Sequence, residues 1–123
     1  MNLEPLAAYN LYSAAWNEKE DPEARKKLLD QAWAPDGTLF DEENPDGLVG
    51  REALNHYIAV THEEMPGLVI TETSKPQILG NRLRIHWEAR QGDKRAYAGA
   101  DFVEFDEDGR VSRVTMFYDL TPD

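Results

Sequence analysis

The feature that most constrains this chain is a change of hydrophobic period at Gly67: apolar residues recur at helical spacing before it and alternate after it. Tyr9, Tyr12 and Trp16 fall at i, i+3 and i+7 within residues 6–17, one stripe of an amphipathic helix. Asp21-Pro22-Glu23 predicts a second helix start, with Asp21 as cap, Pro22 in the first turn and Glu23 favoured by the helix dipole. That helix carries Ala24, Leu28, Leu29, Ala32 and Trp33 and stops before Pro35-Asp36-Gly37. Thr38 to Asp41 reads as a short strand, and Glu42 to Gly47 as an acidic loop. Gly50-Arg51-Glu52 leads into a third helix with Leu54, Tyr57, Ile58, Thr61 and Met65 at helical spacing, ended by Pro66-Gly67. Beyond it, residues 68–73, 77–90, 96–105 and 111–119 read as strands, with turns at Gly80, Gly92-Asp93 and Asp106 to Gly109. Helices segregated from an antiparallel sheet define an α+β class. The 123 residues show no internal repeat, linker or low-complexity tract, so residues 1–123 are expected to form a single domain.

Charge narrows the partners. Thirteen Lys and Arg against 24 Asp and Glu give a net charge of −11, which repels phosphate backbones and anionic lipid. No nucleic acid and no membrane surface is therefore expected as a partner. No apolar run approaches a membrane span, no basic-then-apolar leader opens the chain, and there are no cysteines for disulfides, thiol chemistry or thiolate metal sites. A cytoplasmic protein is the simplest expectation.

Within 98–105, period 2 places Gly99, Asp101, Val103 and Phe105 on one face. Asp101 is thus expected to point inward among apolar neighbours. A carboxyl there either finds hydrogen-bond donors or stays protonated. Such groups cluster at functional sites, though structural networks produce them too. Histidine offers little: His86 alternates outward with Arg82, Arg84 and Glu88, a face expected outside or at a dimer contact. His56 and His62 lie at i, i+6, not at ligand spacing, and all three read as scattered surface residues. Phosphate loop, nucleophile elbow and dinucleotide fingerprint are all missing, so neither cofactor nor metal is expected.

The motifs Tyr12-x-x-x-Trp16-Asn17, Trp33-Ala34-Pro35-Asp36-Gly37-Thr38, Gly50-Arg51-Glu52-Ala53-Leu54, Gly99 through Val111, and Phe117-Tyr118-Asp119 occur in one order over nearly the whole chain. In that order they resemble the nuclear transport factor 2-like superfamily, in its SnoaL-like and ketosteroid isomerase-like branch. The resemblance implies a cone-shaped α+β barrel: three N-terminal helices packed on a strongly curved, mostly antiparallel sheet around a pocket, often homodimeric through the sheet's outer face. Three positions match those carrying chemistry in ketosteroid isomerases. By that resemblance Asp41 is the base, and Tyr12 and Asp101 donate to the oxygen that gains charge, the latter as a carboxylic acid held neutral by an apolar site. Tyr9, Trp16, Trp33, Phe40, Tyr57, Trp87, Tyr97 and Phe117 are expected to line the pocket. One departure stands out, because Asp41 is followed by Glu42-Glu43-Asn44-Pro45-Asp46 where ketosteroid isomerases place proline directly after the base.

The fold alone selects no chemistry. Three readings remain open at this stage. One is a cofactor-independent isomerase or cyclase acting on an apolar carbonyl-bearing or cyclic small molecule by acid–base chemistry. A second is a ligand-binding module with the same pocket. The third is an interaction domain with a self-filled pocket. Equally, Asp101 could fix the barrel's geometry, Asp41 could be a solvated loop carboxylate, and Tyr12 could be a core tyrosine.

Overall fold

The computed structural model describes residues 4–119. Three helices come first: α1 (Pro5–Asn17), α2 (Pro22–Ala32) and, after strands β1 (Trp33–Phe40) and β2 (Leu48–Val49), α3 (Arg51–Glu64). The remaining strands are β3 (Leu68–Glu72), β4 (Gln77–Leu79), β5 (Arg82–Gln91), β6 (Lys94–Phe105) and β7 (Val111–Tyr118). The sheet runs β2-β1-β7-β6-β5-β3, with β4 also on β5. All pairs are antiparallel except β1 with β7. This is the expected α+β arrangement, with one difference from the implied barrel: the sheet is not closed, because β2 and β3 end its two edges without pairing to each other.

Local chemistry explains the helices. Asp21 accepts hydrogen bonds from the Glu23 and Ala24 amides and so caps α2. Arg51 closes the other end of α2, donating from Nε to the Trp33 carbonyl at 2.7 Å and from Nη2 to the Asp30 carbonyl at 3.1 Å. Those donations satisfy carbonyls that a helix C-terminus leaves without partners. On α1, Tyr9, Tyr12 and Trp16 are all buried against the sheet, each contributing on the order of 2 kcal/mol through the apolar area removed from water. Asn17 then ties the helix end to β3, donating to the Ile70 carbonyl at 2.8 Å and accepting from the Ile70 amide at 2.9 Å.

Two bulges redirect side chains. Trp33, expected on the second helix, opens β1 instead, since Pro35 keeps Ala34 out of helical conformation. Its register with β7 then slips between Trp33 and Thr38, and the indole folds over Gly37, where a Cβ would lie 2.5 Å from Trp33 Nε1. In β7 the register slips as well: Phe105 pairs with Val111 but Glu104 with Arg113, leaving Ser112 as an extra residue. Val111 and Val114 consequently both face the core, and the residues beyond are shifted by one from simple alternation. His62 also departs from expectation. It is buried, and its Nε2 lies 2.6 Å from the Trp16 carbonyl oxygen, fixing α3 to α1.

Candidate functional site

Between the helices and the concave side of the sheet lies a cavity of about 480 Å³, within the range of small-molecule sites. From α1 it takes Tyr9, Tyr12, Ser13 and Trp16, the i, i+3, i+4, i+7 stripe. From α3 come His56, Tyr57, Thr61 and Glu64, and from the edge of the sheet Leu68 and Ile70. The central strands add Trp87, Tyr97, Asp101, Met116 and Tyr118, and the loop after β1 adds Asp41, Glu42 and Glu43.

Asp101 is 3% exposed. Its Oδ1 accepts from Trp87 Nε1 at 2.9 Å and its Oδ2 from the Tyr9 hydroxyl at 3.2 Å. Burial pushes its carboxyl up to about 7; the Trp87 and Tyr9 hydrogen bonds oppose that rise, and the charge of Glu72 adds to it. Gly99 makes the arrangement possible. A Cβ there would meet the Phe117 carbonyl oxygen and come within 2.9 Å of Trp87 Cζ2, so only glycine lets the indole cross β6 to reach Asp101.

Asp41 is also buried, and its side chain is otherwise engaged. Oδ1 accepts from the Glu43 amide (3.1 Å), the Asn44 amide (2.9 Å) and Asn44 Nδ2 (2.9 Å). Oδ2 accepts from the Tyr57 hydroxyl at 2.6 Å. Four donors therefore meet a group with about four lone-pair sites, and the carboxylate clamps its own loop to α3. Sheet register relates the two acids: Asp101 pairs with Met116, and Phe40 with Thr115, so Asp41 continues beside Met116. Two strand spacings separate them, about 10 Å between Cα atoms, with Met116 in the gap.

Tyr12 contributes a third polar group. Its ring stacks on Trp33 with centroids 5.3 Å apart and planes 16° from parallel, and its buried hydroxyl has no hydrogen-bond partner. Trp16 Nε1 makes no well-formed hydrogen bond either, but its N–H donates weakly toward the Tyr12 oxygen and opposes the rise there. Burial first, and then the Asp101 charge, hold the Tyr12 phenol well above its ordinary range. Tyr9 is raised by burial and by Asp101, Tyr57 by burial and its bond to Asp41, and Tyr118 by burial and the Asp41 charge. All four phenols therefore remain protonated donors at neutral pH.

Most expected site residues converge. Tyr9, Tyr12, Trp16, Asp41, Tyr57, Trp87, Tyr97 and Asp101 line the cavity, Tyr97 at a half-exposed position against Tyr118 (centroids 5.7 Å). Trp33, Phe40 and Phe117 do not line it. Trp33 is core, held under Tyr12. Leu39 and Asp41 take the inward positions of their strand end, so Phe40 turns out beneath the Arg113 guanidinium, 5.8 Å from the ring centroid. Phe117 is 63% exposed because the Ser112 bulge exchanges the faces of β7, bringing Met116 and Tyr118 inward instead. Sequence reasoning missed those two. It also missed Ser13, which helical spacing from Tyr9 points to directly.

A family model for a SnoaL-like domain matches residues 10–114; the chain belongs to the SnoaL-like family. Among solved structures it is similar to a candidate isomerase of that family from Agrobacterium tumefaciens, with 30% identity, 94% of this chain and 97% of that one covered, and a TM-score of 0.84. A candidate ketosteroid isomerase from Kribbella flavida shares the fold at 22% identity and TM-score 0.71, covering 95% and 78% of the two chains. So does an NTF2-like protein of unknown function from Exiguobacterium, at 15% identity and TM-score 0.74, covering 93% and 99%. No curated protein matches the chain in sequence. No helix among the described residues is long and apolar enough to cross a membrane.

Proposed function

We propose that this SnoaL-like protein is a cofactor-independent enzyme of isomerase or cyclase type. It takes an apolar carbonyl-bearing or cyclic small molecule into the cavity and moves a proton next to the carbonyl. The observation that carries this reading is Asp101: a buried carboxyl at the cavity wall, poised near neutrality, with only two of its lone-pair sites occupied. Asp101 takes the proton and returns it elsewhere on the substrate. Tyr12, protonated and unpartnered, donates to the oxygen as charge develops there. The resemblance to ketosteroid isomerases would give the base role to Asp41. Its four donors favour Asp101 for proton transfer and leave Asp41 to position Tyr57 and the loop. Likeness to a candidate isomerase of the same family, covering nearly all of both chains, supports the class of reaction.

The test is deuterium incorporation next to the carbonyl in a panel of cyclic ketones, followed by NMR in the wild type and in Asp101→Asn. Enzyme-dependent exchange that is lost in the variant is expected. Exchange that survives in Asp101→Asn defeats the assignment, and binding without exchange of any ketone leaves a ligand-binding module. The same reading includes a homodimer through the outer sheet face, where Ile78, Phe102 and Phe117 are exposed; sedimentation showing only monomer at high concentration would remove that part.

A further inference from the structure

The two faces of the sheet differ in charge: the outer face carries arginines together with Glu88 and Glu104, which pair with two of them, and among the described residues the cavity side carries carboxyls without a lysine or arginine. Arg82 and Arg84 on β5 and Arg113 on β7 are exposed on the side away from the cavity. The described residues lining the cavity include no lysine and no arginine, but five carboxyls: Asp41, Glu42, Glu43, Glu64 and Asp101. His56 is their one titratable counterweight, and it too is at the exposed rim. The ion pairs Lys26–Asp30, Arg90–Glu88, Arg110–Asp108 and Arg113–Glu104 all lie off the cavity wall. Glu42, Glu43 and Glu64 are exposed and ring the mouth, while Asp41 and Asp101 are buried deeper.

The walls below that rim are aromatic on both sides. On the helical side Trp16 meets Tyr57 edge to face at 6.0 Å, and on the sheet side Trp87 meets Tyr118 in the same way, also at 6.0 Å. Ring faces attract cations within about 6 Å, more strongly once water is excluded. An independent observation calls for a ligand in the same space. The Tyr12 hydroxyl is fully buried; the Trp16 indole N–H beside it can donate but not accept, so the phenol's own proton is left without an acceptor, and the group senses Asp101, Asp41 and Tyr118 on the cavity wall. A buried hydroxyl left unmatched is costly, and a ligand's carbonyl oxygen satisfies it by accepting its proton.

We infer that the ligand of this cavity carries a positively charged nitrogen, an alkylated or ring-bound ammonium, seated between the acidic mouth and the Trp16–Tyr57 and Trp87–Tyr118 rings. This rests on the proposed function and narrows its substrate, from an apolar carbonyl compound to one that also bears a cationic nitrogen at the mouth. The reacting carbonyl reaches inward to Tyr12 and Asp101, and the cationic nitrogen stays near Asp41 and Glu43, which the Tyr57 hydroxyl bridges at 2.6 and 3.4 Å. Attraction to a charge at the rim is screened by salt, whereas the aromatic contact is not.

The experiment compares phenyltrimethylammonium with its neutral carbon isostere, tert-butylbenzene, and with benzoate, using quenching of tryptophan fluorescence in the full chain. At low ionic strength the cation is expected to bind at least about tenfold tighter than the isostere, with benzoate weakest. The double variant Glu43→Gln, Glu64→Gln changes only exposed side chains, and it should weaken the cation several-fold more than it weakens tert-butylbenzene. Raising the salt to about 0.5 M should weaken the cation and spare the isostere. Equal or tighter binding of the isostere, or preference for benzoate, overturns the inference. Failure of the two readings is separable. Exchange on neutral ketones without any preference for cations sinks this inference alone, and a clear preference for cations with no exchange on any ketone sinks the proton-transfer reading alone.

Discussion

Asp41 and Asp101 sit two strands apart on one cavity wall, both nearly shut off from water, and the chain treats them in opposite ways. Asp41 ends a strand and meets its own loop, so four donors converge on it from residues 43, 44 and 57. Asp101 stands mid-strand, where its own backbone is committed to the sheet ladder, and only distant side chains reach it: Tyr9 from α1 and Trp87 from β5. A loop can wrap a carboxylate with amides, whereas a strand cannot. The difference teaches that burial alone does not make a carboxyl reactive. What matters is how many of its lone pairs the fold has already used.

The largest effect that would break this comparison is on turnover. Asp101→Asn keeps the shape and removes the group that can take and return a proton, so the rate of ketone exchange should fall by roughly 10²- to 10⁴-fold. Asp41→Asn should lower it by less than about tenfold. Equal losses in steady-state kinetics would mean that both acids act directly.

Next comes the pH dependence of stability. The folded carboxyl of Asp101 titrates at about 7, above its ordinary value of 3.8. The folded state therefore binds the proton more tightly than the unfolded chain does. That stabilising contribution is full below about pH 4 and is lost progressively as pH rises toward 7, on the order of a few kcal/mol. Asp101→Asn should flatten this slope in denaturant titrations between pH 4 and 7. An unchanged slope would place the titrating group elsewhere.

A smaller effect sharpens the other side. Asp41→Ala should cost about 1–2 kcal/mol, comparable to losing a helix cap, because two backbone amides, the Asn44 side-chain amide and the Tyr57 hydroxyl lose their acceptor. Urea unfolding at constant pH measures it, and a loss below about 0.5 kcal/mol would show the clamp to be dispensable. The smallest effect is on titration itself. Tyr9→Phe removes one of the two hydrogen bonds that pull Asp101 down. Its carboxyl should therefore move upward, by less than about one unit, as followed by carboxyl ¹³C NMR. A downward move would contradict the direction assigned to that bond.

Much of this was legible in the sequence because it rests on period and on turn chemistry. The break at Gly67, the Asp21 cap and the inward face of Gly99, Asp101, Val103 and Phe105 each follow from a local rule that the rest of the fold does not override. The misplaced residues have different causes. Trp33 lies four residues after Leu29 and so fits the helical spacing, but Pro35 ends the helix before it; Phe117 fits period 2 counted from Val111, but there the register of β7 slips against β6. A bulge is set by how strands meet across the sheet, and it leaves no mark in the spacing of the strand that carries it. His62 was misread for a related reason: its partner is a carbonyl 46 positions away in sequence, on α1. The family resemblance supplied Asp41 as a site position but could not show its four donors, three of which depend on how the loop folds back.

Asn17 has a consequence for how copies of this chain can meet. β3 is an outer strand of the sheet, and the main-chain groups of Ile70 that would otherwise face outward are occupied by the Asn17 amide. An outer strand with open main-chain groups is a template for another chain, and thus a route to aggregation. Here a side chain stands in for the missing strand residue. The helix end that helps to roof the cavity therefore also blocks strand pairing at Ile70, on an edge of the open sheet.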